Sequence, residues 1–313
     1  MSSRRAVILD VDTGIDDALA LAFAVRQPAI ELVAVTTLAG NVGVEKTTAN
    51  TLAVLDLLGA SNVPVHRGAS RPLTRAHIDA AYFHDTTGIG VAQLPPSERG
   101  VGPDRGPAAI IRLATARPGE LTLVCVGPLT NLAIALNVAP ELPQLLRSVV
   151  VMGGAFWEGG NVTPWAEFNV YCDPEAAAAV FETPFPDLLV LGLDVTHRTR
   201  LSRRQWEEAV ARADQDPVAF LVSEVCRSPF LDPARESIFL HDPLAVAVAL
   251  DDSLVDADLG GVTVDFEGDD RGRTLVTMGK GTVRIARAVD ARRFLDLFVA
   301  SLALGGGVAG EDR

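Results

Sequence analysis

The chain has 313 residues, 48% hydrophobic and 21% charged, an ordinary globular composition that allows either two domains or one large α/β unit. Forty acidic residues against 27 basic ones give a net charge of −13, and a surface that negative repels nucleic-acid backbones and anionic lipid. The apolar run behind Met1 stops at Asp10, and the uncharged stretch Leu121–Pro140 is interrupted by Gly127-Pro128, Thr130 and two asparagines, so the sequence reads as a soluble cytoplasmic protein with no membrane or nucleic-acid partner.

In chain order, short apolar runs alternate with longer amphipathic ones. A strand is predicted at Ala6–Val11 and a helix at Asp16–Val25, then a strand at Glu31–Thr36 and a helix at Val44–Leu58. A strand at Val63–His66 precedes a helix at Pro107–Ala116, a strand at Leu121–Val126 and a helix at Leu129–Asn137. Ser148–Met152, Pro174–Phe181 and Leu188–Leu191 continue the alternation as strand, helix and strand. From about Leu201 the pattern turns helical (Arg203–Ala213, Pro217–Cys226, Asp242–Leu250), and Gly261–Ile285 reads as short strands joined by the polar turn Glu267–Arg273.

Near-continuous apolar strands such as LTLVCV are what a sheet covered on both faces requires. The predicted fold class is therefore α/β: an open, mostly parallel Rossmann-like sheet with helices on both faces and an active site at the C-terminal ends of the strands. Residues 1–304 are expected to form a single domain and 305–313 an unstructured tail. The loops DVDTGIDD, TLAGN, VGPLTN, VMGGAF and GLDVTH follow strands directly and should share one rim. Cys125, Cys172 and Cys226 are far apart with no CxxC spacing, which excludes a thiolate metal site and suits a reducing compartment.

Asp10, Asp12, Asp16 and Asp17 fall within eight residues, at the end of a buried strand and the start of the next helix. The helix dipole accounts for Asp16 and Asp17. It does not account for Asp10 and Asp12, and the repulsion among the four is most simply offset by a hard divalent cation, Ca²⁺ or Mg²⁺. A second polar group, Asn161, Glu167 and Asn169 in one loop, offers the short-range donors and acceptors that grip a polyhydroxylated ligand. Asp173-Pro174 and His241-Asp242-Pro243 both read as N-cap followed by proline at the first helical position. His84 lies in the loop FHDTTGIG, and His66, His77 and His197 are read as surface or packing residues. No GxxxxGK[ST] and no GxGxxG after a strand is present, so a phosphate cradle is not supported, and no GxSxG elbow is present either.

Taken together, VILDVDTGIDDALAL, LAGNV, VGPLTN, VMGGAF…GNVTPWAEFN, DPEAA, GLDVTH and HDPLA, in that order, resemble the nucleoside hydrolase family of calcium-dependent enzymes that cleave the N-glycosidic bond of ribonucleosides. The resemblance runs from about Val7 to Val248, with Thr13 where many members carry proline. It implies that Asp12, Asp17, the main-chain carbonyl of Val126 and Asp242 hold Ca²⁺, and that Asp12 is the general base. It implies further that Asp16 and Asn169 bind the 2′-hydroxyl, Asp242 the 3′-hydroxyl, and Asn161 and Glu167 the 5′-hydroxyl, with Asn41 near the attacking water and Met152 and Phe168 lining the sugar. His241 and His84 match the positions that assist the departing base. A homodimer or homotetramer is the assembly the family suggests.

The chain departs from the family around the base. Asp85 stands beside His84, the segment Ala155–Gly160 is one residue longer and should bring Trp157 toward the pocket mouth, and Phe230 is the aromatic residue nearest to where several members carry tyrosine. Two alternatives from other classes are a haloacid-dehalogenase-like phosphatase with Asp10 as nucleophile and a nucleoside-binding protein without catalysis. The first lacks a lysine in a convincing context, since Lys46 and Lys280 are the only two. The second would have lost a polar site residue, and all are present.

Overall fold

The computed structural model describes residues 4–78 and 86–304. Eleven strands are seen among them: β1 (Arg5–Val11), β2 (Ile30–Thr37), β3 (Val65–Arg67), β4 (Leu121–Cys125), β5 (Ser148–Met152), β6 (Leu188–Leu191), β7 (Arg200–Ser202), β8 (Ser237–Phe239), β9 (Val255–Val264), β10 (Thr274–Met278) and β11 (Val283–Val289). Nine of them form one sheet in the order β3-β2-β1-β4-β5-β6-β11-β9-β10, while β7 and β8 pair separately as an antiparallel ribbon. From β3 to β11 every neighbour is parallel, and β9 runs antiparallel to both β11 and β10. The open, mostly parallel α/β fold expected from the sequence is thus observed.

The alternation of side chains along β1 shows why the sheet is covered twice. Val7, Leu9 and Val11 enter one hydrophobic core, and Ala6 and Ile8 enter the other. Helices α1 (Ile15–Arg26) and α2 (Val44–Leu57) contribute to the first core, and α3 (Gly106–Ala116) and α4 (Thr130–Val138) to the second. The single turn α5 (Leu142–Leu145) precedes β5; α6 (Phe168–Cys172) and α7 (Pro174–Glu182) lie between β5 and β6; and α8 (Leu193–Thr196) is one turn after β6. The remaining helices are α9 (Arg203–Val210), α10 (Pro217–Val225), α11 (Arg227–Phe230), α12 (His241–Leu250) and α13 (Ala291–Ser301). Helix α12 is buried along almost its whole length and packs on α1. Among the described residues no helix is long and apolar enough to cross a membrane.

Chain order reverses direction between β1 and β4: β2 and β3 extend to one side of β1, and β4, β5 and β6 to the other. The loops leaving the C-terminal ends of adjacent parallel strands diverge there, which opens a crevice for ligand. Asp12 follows β1 and Val126 follows β4 at this point. The proposed tail 305–313 and the loop residues His84 and Asp85 lie outside the described residues.

Candidate active site

A cavity of about 260 Å³ opens at the switch point. Its walls include Asp16, Asn41, Val126, Met152, Asn161, Glu167, Phe168, Asn169, His241 and Asp242, so the ligand set named from the sequence converges on one space. Asp12 and Asp17 lie beneath the surface, both buried, and Asn41 bridges them to it. The Asn41 backbone N–H donates to Asp12 Oδ2 at 2.7 Å, and its side-chain amide donates to Asp17 Oδ2 at 3.2 Å. Asp17 also accepts from the backbone N–H groups of Asp12 and Gly14 at 3.1 and 2.9 Å, which ties the end of β1 to the first turn of α1.

Carboxyl oxygens of Asp16, Asp17 and Asp242 lie within 4.8 Å of one another. Burial and the charges of Asp16, Asp17 and Asp12 push the Asp242 carboxyl well above its ordinary range. Burial and the charge of Asp17 do the same to Asp12. Burial raises Asp16 to about 6, and burial with the charge of Asp16 raises Asp17 to about 7. Three carboxylates this close, with the buried Asp12 beside them, are not all ionised without a cation among them. The donors are all oxygen, which fits a hard divalent metal ion.

The second polar group is organised by backbone hydrogen bonds. Glu167 caps α6, accepting from the N–H groups of Asn169 at 2.8 Å and Val170 at 3.1 Å, and also accepts from Gly154 at 2.9 Å. Burial raises its carboxyl and these three donors oppose the rise. The Asn169 amide donates to the carbonyls of Val126 at 2.9 Å and Met152 at 3.2 Å, which leaves its oxygen as the acceptor of this cavity-lining side chain. Asn161 Oδ1 accepts from the Phe168 N–H at 2.9 Å, which leaves the Asn161 amide hydrogens as donors.

Several expectations need correction. Asp173 caps α7 as read, accepting from Ala176 N–H, but Asp242 is not an N-cap: α12 begins at His241, and Asp242 sits in its first turn without a capping bond. The side chain is thereby released into the cavity. His197, read as a surface or packing residue, lines the cavity beside His241, together with Arg235, Ile238, Phe239 and Pro229. Phe230 is buried against Trp206, with ring centroids 5.0 Å apart, and is not among the lining residues. Trp157 packs under the Arg287 guanidinium and is likewise absent from the wall. His66 Nδ1 lies 3.2 Å from the Asp104 carbonyl and His77 Nε2 lies 2.9 Å from the Gly40 carbonyl, both packing roles. Asp10, the nucleophile of the phosphatase alternative, is fully buried, bonded to Thr36 and Asn131, and lines no part of the cavity.

Comparison with known proteins gives the family. The family model for inosine-uridine preferring nucleoside hydrolases matches residues 7–296. The chain belongs to that family. It is accordingly a hydrolase of N-glycosyl bonds. A stretch of 200 residues is 44% identical to an uncharacterized protein of Schizosaccharomyces pombe and spans 64% of that protein, just under two thirds. Over 311 residues, 95% of this chain and 97% of the other, this nucleoside hydrolase is 36% identical to the pyrimidine-specific ribonucleoside hydrolase RihA of Citrobacter koseri. Among solved structures, a purine-preferring ribonucleoside hydrolase from Gardnerella vaginalis superposes with a TM-score of 0.89 at 34% identity, covering 96% of this chain and 98% of that one.

Two signals for the missed wall residues were present in the sequence. GLDVTH places His197 in a loop after a strand, on the same rim as the other site loops, and RESIFLHD places Phe239 two residues before His241. What was missing was the β7–β8 ribbon, which folds Phe239 and Ile238 over the cavity.

Proposed function

We propose that this nucleoside hydrolase cleaves ribonucleosides to ribose and free base with Ca²⁺ bound by Asp12, Asp17, Asp242 and the Val126 carbonyl. The observation that carries the reading is the convergence of buried carboxylates beneath a cavity whose polar groups are spaced for a sugar. When bound, Ca²⁺ would acidify a coordinated water and hold vicinal hydroxyls.

Asp12 is the proton acceptor for the attacking water. Its Oδ2 is fixed by the Asn41 N–H, so the carboxylate is oriented before substrate arrives. Asp16 and Asn169 take the 2′-hydroxyl, and the bonds of the Asn169 amide to Val126 and Met152 leave its oxygen to accept from that hydroxyl. Asp242 takes the 3′-hydroxyl. Asn161 and Glu167 take the 5′-hydroxyl, the first as donor and the second as acceptor. Met152 and Phe168 pack against the sugar.

As the bond from C1′ to the base lengthens, positive charge grows on the ribose ring. The carboxylates around the cavity stabilise that charge more than they stabilise the neutral ground state, which is the differential binding a catalyst needs. His241, with Nδ1 2.8 Å from the Thr196 hydroxyl, is placed to give a proton to the leaving base. His84 is proposed for the same task from the resemblance alone.

The test is ribose release from inosine and uridine, in Ca²⁺ and after treatment with EGTA. Activity that EGTA removes and Ca²⁺ restores supports the reading. Absence of ribose release from every ribonucleoside in the presence of Ca²⁺ overturns it.

A further inference from the structure

The cavity wall beside His241 carries a second histidine, His197, in contact with a carboxylate. His197 follows the single turn α8, stacks on Phe239 with ring centroids 4.4 Å apart, and stands 5.7 Å from the His241 ring. Its Nδ1 lies 3.1 Å from Glu158 Oε1. The two histidines therefore differ in what holds that nitrogen. His241 Nδ1 meets a neutral hydroxyl, whereas His197 Nδ1 meets a carboxylate. With Nδ1 engaged by that carboxylate, Nε2 is the ring nitrogen left for a ligand.

The pairing is built into the local fold. Asp194, on the same turn of helix, accepts from the backbone N–H groups of Phe156, Trp157 and Glu158 at 3.0, 2.7 and 2.8 Å. One turn thus anchors the loop that carries Glu158 and delivers His197 next to it. Two cations stand at this end of the cavity: Arg235 in its wall, and Arg200, whose guanidinium lies 4.5 Å from the Phe239 ring centroid. Glu158 is the carboxylate in contact with the His197 ring.

We propose that His197, held by Glu158, is a proton donor to the departing nucleobase, a catalytic residue in addition to His241. When the bond from C1′ to the base nitrogen breaks, its electron pair stays with the base. The proton on His197 Nε2 passes to an acceptor nitrogen or carbonyl oxygen of that base, and the imidazole remains neutral with Nδ1–H on Glu158. Water supplies hydroxide to C1′ and its proton to Asp12. The His197 side chain is 21% exposed, so it recovers a proton from solvent and the net reaction adds one water. Glu158 is a positioning residue, acting through His197.

The proposal rests on the hydrolysis reading, and the leaving group separates the two. A nucleobase needs a proton to depart, whereas p-nitrophenolate leaves without one. The experiment compares kcat/KM on inosine, uridine and p-nitrophenyl β-ribofuranoside for the Ca²⁺-loaded wild-type protein, His197→Phe, which keeps the stack on Phe239, and Glu158→Gln on the exposed side of the pair. His197→Phe is expected to lose about 10²-fold on at least one of the nucleosides and less than about threefold on the nitrophenyl riboside, with Glu158→Gln losing about tenfold in the same selective way. Equal losses on all three substrates, or no loss on either nucleoside, overturn the proposal while leaving the hydrolysis reading in place. A wild-type protein inactive on all three overturns both.

Discussion

Gly40 leaves the space of a side chain to the carboxylate of Asp12: a Cβ added at Gly40 would stand 2.1 Å from Asp12 Oδ2. Gly127 closes the opposite side, where an added Cβ would lie 2.6 Å from Asp12 Oδ1. The proposed general base is held in a slot whose two walls are bare backbone. Gly40→Ala and Gly127→Ala should each displace the carboxylate, since Asp12 is buried and has no room to yield. The expected outcome is a loss of kcat of about 10²-fold or more with an overpacking cost of about 1–3 kcal/mol, checked by kinetics beside thermal melts. A Gly40→Ala protein with wild-type kcat would show that Asp12 is not where the reaction needs it.

Asp12→Asn should move activity and metal-free stability in opposite directions. Removing the proton acceptor lowers kcat about 10²- to 10⁴-fold. Removing one of several mutually repelling buried carboxylates raises the melting temperature of the EGTA-treated protein. Parallel assays of ribose release and melting decide it, and unchanged ribose release would count against the proton-acceptor role.

Stability of the metal-free protein should fall with rising pH. Asp16 and Asp17 are raised from 3.8 to about 6 and about 7. The native state therefore holds these protons more tightly than the unfolded chain. Their contribution is fully present below about pH 4 and is lost as pH rises through 6 and 7. Glu31, whose carboxylate the Arg117 guanidinium holds low, behaves oppositely, but its loss falls below about pH 4. Between about pH 5.5 and 8 the melting temperature in EGTA should drop, and the increment on adding Ca²⁺ should grow, because the cation binds the ionised carboxylates. An increment independent of pH across that range would contradict metal binding by this cluster.

Glu167→Gln tests a residue with two duties. The carboxylate accepts three backbone N–H bonds, so the amide, with one acceptor oxygen, leaves at least one buried donor poorly paired at a cost of about 1–3 kcal/mol. Melting should fall by a few degrees. If Glu167 also takes the 5′-hydroxyl, the variant should narrow the difference in kcat/KM between a ribonucleoside and its 5′-deoxy analogue. A wild-type protein that cleaves both equally well would remove that role.

The alternation of strands and helices was legible because buried parallel strands are continuously apolar and their helices are amphipathic, and six predicted strands from Ala6 to Leu191 are found within two residues of their expected starts. Single turns such as α6 and α8 were not. A four- or five-residue helix spans little more than one turn, too short for a period of 3.6 to register, and each forms because a carboxylate or a glycine ends the preceding extended segment. The N-cap grammar misled at Asp242 because His-Asp-Pro fits a helix starting one residue either way, and packing against α1 chose the earlier start.

By itself the sequence determined the α/β class, the carboxylate cluster and the order of site loops, since each is written in local composition and spacing. Only the tertiary structure decided where each carboxylate sits. Asp10 lies in β1 and Asp12 just past its end, yet strand register pairs Asp10 with Thr36, while the bare backbones of Gly40 and Gly127 give Asp12 its slot beneath the cavity. The β7–β8 ribbon and the turn α8 brought His197, Glu158 and Phe239 together from segments 39 to 42 residues apart, a juxtaposition no local pattern records. Register and close approach are properties of neighbours in space, and the chain specifies them only by folding.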